Sequence, residues 1–376
     1  MKKQMILCCV LLFLWMLPAA AADQTDAQLQ DVIDSQFEAA GGYTIDQTLS
    51  GRQEFDPSFS FAGASMDFAS GQSPDAGNIL KTIFSLLFSE TRAHIADAGK
   101  IILVVVLLAF IGKFAPEKEK VFDSAFYVSY VVLFILLFSS FRSVADIGRE
   151  TIENLCVFID TCLPVMSSLA ISANEVSKTA AAAAGTMGIF AVANTISQLL
   201  LPIGFMLAGI AAVNHLSDDF SLQPLYDCVK KAVLWGLGII MTVFSAVLMM
   251  SGVTGNALDN VGGKAVKYAV GNFIPFVGGV LSDSLESIIV YGKLIKTAAG
   301  TAGILALLYI CLAPAIKMIA IIFAYKLCSV VLLPVADKRI TGALDDVTGV
   351  MSLILAMVLC CAALFIIAMG LLANML

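Results

Sequence analysis

The stretch VTGVMSLILAMVLCCAALFIIAMGLLA, residues 347–373, contains no Asp, Glu, Lys or Arg. About 20 apolar residues in a helix cross a hydrocarbon core of ~30 Å, so this segment reads as a membrane span. Working outward from it, comparable charge-poor runs occupy 94–114, 121–141, 185–213 and 231–251, and 298–336 is long enough for one or two crossings. The whole chain is 59% hydrophobic and only 14% charged, where soluble domains carry ~25% charged residues. Backbone polar groups in lipid must pair internally, which leaves helices or closed barrels. The short alternating segments of a barrel are absent from the sequence. The fold class is therefore an all-α polytopic membrane protein, with about six to eight transmembrane helices.

At the other end, Lys2 and Lys3 precede an unbroken apolar run from Met5 to Leu17, then Pro18 and four alanines ending at Ala22. A charged start, a short apolar core and a small-residue exit describe a cleaved signal peptide over 1–22. Residues 23–92 follow as an acidic extracytoplasmic arm, and 93–376 as the multi-pass membrane domain. Between 23 and 90, eleven acids face only Arg52 and Lys81, whereas residues 91–376 carry equal numbers of acids and bases. The net charge of −7 argues against a nucleic-acid partner. Leu29, Val32, Ile33 and Phe37 recur at helical spacing. The glycine- and proline-rich stretch 41–78 is expected to be irregular. Its Phe55, Phe59, Phe61 and Phe68 suit docking either on a partner or back on the membrane domain.

Topology turns on 155–172, an apolar segment interrupted by Asp160 and Pro164. Lys and Arg favour cytoplasmic loops. If 155–172 crosses, ten basic residues fall inside and five outside (Arg142, Arg149, Lys230, Lys231, Lys317), and this count is preferred. Without that crossing the bias runs the wrong way. The preceding residues 141–153 are amphipathic, with Arg142/Asp146 and Arg149/Glu153 as i,i+4 pairs opposite Phe141, Val144, Gly148 and Ile152. That pattern fits a solvated helix extension, a surface helix or a contact with a neighbour.

Residues 252–303 form a glycine-rich segment. The run 265–281 includes Gly271, Pro275, Gly278 and Gly279 and suits a re-entrant or broken element, tolerated where protein or a water-filled cavity surrounds it. Lys264 with Lys267, Asp283 with Glu286, and Lys293 with Lys296 are each three apart, so each pair shares a helical face. These are the candidate residues for a passage or partner contact. Asp160, Lys317 and Lys326 are the candidate intramembrane polar residues, a costly class in lipid. Lys317 and Lys326, nine apart, point to opposite faces of one straight helix, so either they snorkel to opposite interfaces or Pro314 breaks the helix.

The run Gly262-Gly263-Lys264 through Phe273-Ile274-Pro275-Phe276-Val277-Gly278-Gly279 and Ser282-Asp283-Ser284-Leu285, with Lys317 and Ala336-Asp337-Lys338-Arg339-Ile340 downstream, resembles the stage III sporulation protein AE family of endospore-forming Firmicutes. The resemblance implies a role in sporulation, in the mother-cell membrane around the engulfed forespore. It implies partners from the same operon: a secretion-type ATPase, further membrane proteins and ring-forming components. Together with a forespore-side channel protein these would form a transenvelope channel. The family carries no catalytic residues to transfer.

The residues themselves point away from catalysis. Gly263-Lys264 lacks the Ser or Thr and the first Gly of a phosphate loop. His94 and His215 each stand alone beside an expected helix end, with no Cys/His cluster at metal spacing. The seven cysteines beyond the signal lie in or beside apolar runs and read as packing residues. No catalytic residue, metal or cofactor is expected. The alternative to a channel component is a solute transporter built on the breaks of 252–303, although no matching broken segment occurs in the first half.

Overall fold

The computed structural model describes residues 38, 41–49, 59–69, 76–114, 119–172, 187–188, 190–215, 222–244, 246, 278–334 and 336–373. Among them the only regular elements are helices. Two short helices, α1 (Gly42–Leu49) and α2 (Phe61–Ala69), precede two long ones, α3 (Ala76–Phe114) and α4 (Glu119–Ser172). They are followed by α5 (Phe190–Asn214), α6 (223–244), α7 (Gly278–Leu332) and α8 (Lys338–Ala373). Four of the described segments are long and apolar enough to cross a membrane: Tyr127–Leu169 in α4, α5, Lys296–Leu332 in α7 and Lys338–Gly370 in α8.

α7 and α8 form the centre of the bundle. α7 packs against α8, α3, α4 and α2, while α8 also meets α4 and α5. The contacts fix the directions. Gly148 of α4 faces Ile354 and Val358 of α8, and Ser140 of α4 hydrogen-bonds Tyr325 of α7. Gly300 and Gly303, near the start of the Lys296–Leu332 part of α7, meet Ala373 and Met369 at the end of α8. α4 and α8 therefore run one way, and α7 the other. α5 also opposes α8, since Phe190 meets Phe365 and Gly204 meets Ile354. Phe141 and Phe205 lock α4 to α5 edge to face, 5.0 Å between centroids.

The glycines of α7 explain how two bulky apolar helices come so close. A Cβ added at Gly300 would lie 2.0 Å from the Ala373 Cβ, and one at Gly303 2.0 Å from the Met369 Cε. Ala299, Ala302 and Ala306 are fully buried beside them. Small residues at such a crossing allow the van der Waals contact that drives helix association where lipid replaces water. In α5, a π-helical turn at Ile196–Leu200 ends just before Pro202. The Leu201 N–H reaches back five residues to the Ile196 carbonyl, a local rewinding common beside a proline that cannot donate.

Several expectations are corrected. The stretch 41–78, expected to be irregular, contains α1 and α2. Gly41, at φ 81°, takes the left-handed conformation that leads into α1. The Asp46 carboxylate accepts hydrogen bonds from the backbone N–H groups of Phe61 and Ala62 and from Ser60 Oγ, capping α2 from a distance. Phe59, Phe61 and Phe68 fold back on the bundle. Phe61 is fully buried and meets Phe158 of α4, and Phe59 stands edge-on to Tyr309 of α7 at 5.0 Å. The boundary expected between 92 and 93 falls inside α3.

The runs 121–141 and 155–172 are not two crossings joined by a loop. They are parts of one unbroken helix of 54 residues, because the ion-paired segment 142–153 is itself helical and Pro164 does not end it. The run 298–336 likewise holds one helix, not two: α7 continues through Pro314. The signal peptide, Phe55, the periodic residues 29–37 and the run 251–277 lie outside the described residues.

Two substitutions test this packing by thermal unfolding in detergent. Gly303→Leu is expected to lower the midpoint, since overpacking costs about 1–3 kcal/mol, whereas Gly236→Leu, with nothing within 4 Å of its Cβ position, is expected to change it little. Asp46→Ala removes the cap of α2, at about 1 kcal/mol, and is expected to speed amide exchange over 59–69 selectively.

Candidate functional site

The residues singled out from the sequence do not gather into one site. Lys264, Lys267, Gly271 and Pro275 lie outside the described residues. Gly278, Gly279, Asp283, Glu286 and Lys293 lie on the first turns of α7, which is helical from Gly278 onward. Lys296, three residues past Lys293, is buried with 1% of its surface exposed. It sits where α7 meets the end of α8, and the neighbouring Thr297 hydroxyl donates to the Ala373 carbonyl. Asp160 is exposed on α4 and Lys317 is half-buried on α7. Lys326 does not snorkel alone: its Nζ lies 2.7 Å from Asp345 Oδ1 of α8, which Ser329 Oγ also approaches at 3.3 Å.

That contact leads to a polar junction. Asp345 and Asp346 are adjacent in α8, so their side chains leave the helix about 100° apart. Asp345 turns to α7. Asp346 turns to the end of α5 and the start of α6, where its Oδ2 lies 2.8 Å from His215 Nε2. The Tyr226 hydroxyl donates to the Asp346 carbonyl at 2.7 Å and accepts from Lys230 Nζ at 3.1 Å. Burial first, and then the neighbouring Asp346 and Asp227 carboxylates, push the Tyr226 phenol above its ordinary range, so it stays a neutral donor. Asn214 closes the α5–α6 turn: its Oδ1 accepts from the Leu222 N–H at 2.7 Å, and its amide donates to Gln223. On the α4 side, the Tyr130 hydroxyl donates to the Ala212 carbonyl at 2.7 Å.

Two glycines make room for this junction. Gly342, Asp346 and Gly349 share one face of α8 at i, i+4 and i+7. A Cβ at Gly342 would lie 2.5 Å from His215 Cε1, and one at Gly349 2.6 Å from Lys230 Nζ. The sequence reading treated His215 as a solitary interfacial histidine and passed over Asn214, Tyr226, Lys230 and Asp346. The Gly-x3-Asp-x2-Gly spacing at the polar end of the apolar run 347–373 was the available signal. Chemically, the junction ties α4, α5, α6 and α8 at one end of the bundle, its donors and acceptors turned on one another. Among the described residues no three His, Cys, Asp or Glu side chains converge as a metal site.

The two aspartates are expected to differ in weight. The His215–Asp346 side chains are only 19% and 16% exposed, against 48% and 55% for Lys326–Asp345. Asp346→Ala leaves a largely buried partner without its hydrogen bond, a loss of about 1–3 kcal/mol. Asp345→Ala removes a solvent-screened pair, at less than about 1 kcal/mol. Thermal midpoints of the two variants in detergent check the order, and Gly342→Leu, which puts a side chain where the imidazole sits, is expected to follow Asp346→Ala.

No solved structure matches the chain. The curated relative Stage III sporulation protein AE of Bacillus subtilis (strain 168) is 26% identical over 292 residues, covering 76% of this chain and 73% of the relative. The profile of the family described as Stage III sporulation protein AE matches residues 60–375, from the cap of α2 to the end of α8. With most of its length inside that match, including both helices of the central pair and the whole polar junction, the chain belongs to the stage III sporulation protein AE family.

Proposed function

We propose that this chain is a non-enzymatic membrane component of a transenvelope channel between the mother cell and the forespore, acting late in forespore development from the mother-cell membrane. The observation that carries the reading is the family match across residues 60–375, joined to four helices of membrane-crossing length and composition. The polar junction supports a structural role, because its charged groups bond to one another across helices. Any energy for transport comes, on this reading, from a secretion-type ATPase partner, with further membrane and ring-forming proteins and a forespore-side protein completing the passage. The acidic segment 23–92 is read as extracytoplasmic, delivered there by the signal peptide.

Deleting the gene in a spore-forming host is expected to leave engulfment intact, silence late forespore reporters and reduce heat-resistant spores to background, with the full chain restoring them. Normal spore counts in the deletion strain would overturn the reading. The purified chain in liposomes is expected neither to hydrolyse ATP nor to accumulate solutes. Turnover or uptake by the chain alone would favour a transporter.

A further inference from the structure

The outward face of α4 changes character halfway along. Val128, Val131, Val132 and Ile135 are exposed and apolar, but from Arg142 to Asp160 the exposed positions are Arg142, Ser143, Asp146, Arg149, Glu150, Glu153, Val157 and Asp160, six of them charged. These positions recur at three- and four-residue spacing, so they form one stripe. Arg142 pairs with Asp146 and Arg149 with Glu153 along the helix, and the second pair remains 67% and 60% exposed.

The level of this stripe in the bundle is fixed by its neighbours. Gly148 lies against Ile354 and Val358, midway along the charge-free part of α8. α6 passes the same turns of α8 on its way down. Lys230 stands at Gly349, while Phe244 stands at Gly188, beside Phe190 and Phe365. At ~1.5 Å per residue, Trp235 and Ile239 are therefore level with Ile354 and Val358. Both are exposed, Trp235 by 74%. The slice around Gly148 thus presents a tryptophan and an isoleucine on one helix, and Asp146, Arg149 and Glu150 on another. α1 and α2 pack on the same helix, α1 along α4 and Phe61 of α2 against Phe158 at the far end of the stripe.

A single solvent cannot suit both surfaces. We propose that, with α8 spanning the membrane, the Arg142–Asp160 face of α4 lines a water-filled passage at membrane depth while α6 faces lipid. The inference rests on the membrane placement proposed above, and it assigns the wet wall to α4, away from the glycine-rich segment. Water is the occupant that the stripe fits: four of its six charges pair along their own helix and all six are exposed, whereas a dry partner would have to desolvate every one of them. With four acids to two bases, the wall favours cations weakly over anions.

Variants of the full chain with one added cysteine test it, with Cys8, Cys9, Cys156, Cys228 and Cys360 replaced by alanine, the buried Cys162, Cys311, Cys328 and Cys361 retained, and the parent giving the background. Arg149→Cys, Glu153→Cys, Trp235→Cys and Ile239→Cys are labelled in membrane vesicles of both orientations with a membrane-impermeant maleimide. Ser143→Cys, on the same face and outside both ion pairs, is added in case loss of a charge disturbs folding. The expected result is labelling at least tenfold faster at 143, 149 and 153 than at 235 and 239. Rapid labelling at all five would mean that the whole slice stands in bulk water, and slow labelling along the stripe that the face is dry; either overturns the proposal. The labelling reads water directly and is independent of spore formation, so its failure is distinct from a failure of the sporulation role.

Discussion

α8 carries no charge after Asp346 and is buried on most of its faces, and the bundle is arranged around that constraint. A helix of this kind gains little from leaving lipid for protein, since lipid tails are as apolar as its own side chains. Its neighbours must hold it by close contact and by polar bonds at its ends. Gly300 and Gly303 of α7 supply close contact at one end. Asp345 and Asp346 supply the bonds at the other, one to α7 and one to α5 and α6. The two devices act 23–28 residues apart along α8, about 35–42 Å at the helical rise, and between them they fix its register against α7, α5 and α6.

The same constraint explains what was legible in the sequence. Apolar runs such as 185–213 and 347–373 declared their helices because composition alone decides that a segment belongs in lipid. Connections between runs were harder. The i,i+4 pairs Arg142/Asp146 and Arg149/Glu153 marked 141–153 as a helix extension, but not that it runs on without a turn into 155–172. Pro314 and Pro164 looked like breaks, but a proline removes one hydrogen bond and does not by itself end a helix held by packing on several sides. The count of basic residues assumed a turn between 141 and 155, where α4 is continuous. For the 41–78 stretch the signal was tertiary: Asp46 caps a helix that starts fifteen residues later, and Phe61 is helical in the company of Phe158.

The polar junction was illegible for a related reason. Asp346 is 131 and 120 residues from His215 and Tyr226 in the chain, and each taken singly is an unremarkable residue near a helix end. What brings them together is the antiparallel run of α5 against α8, with Gly342 and Gly349 clearing the space. A spacing of Gly, Asp and Gly on one face of an otherwise bulky helix is a physical request for a neighbour's side chain, and it can be read as such.

The charged stripe of α4 then narrows where water must be. An ionised side chain at the centre of a bilayer costs about 2.5–3.5 kcal/mol even on the most lenient scales, so six on one face are not compatible with lipid there. Calling the stripe a solvated extension beyond the membrane moves the cost without removing it. α5, α6 and α8 would have to leave the membrane at the same level, exposing Trp235, Ile239 and Leu199 to water and stranding the apolar ends of α7 and α8 outside it. A passage beside α4 satisfies both surfaces at once, because each helix then meets the solvent that its own side chains select. A rigid α7–α8 pair would keep such a wall in place, because α4 is held to both helices by Gly148 and by Ser140 while its outward face stays wet.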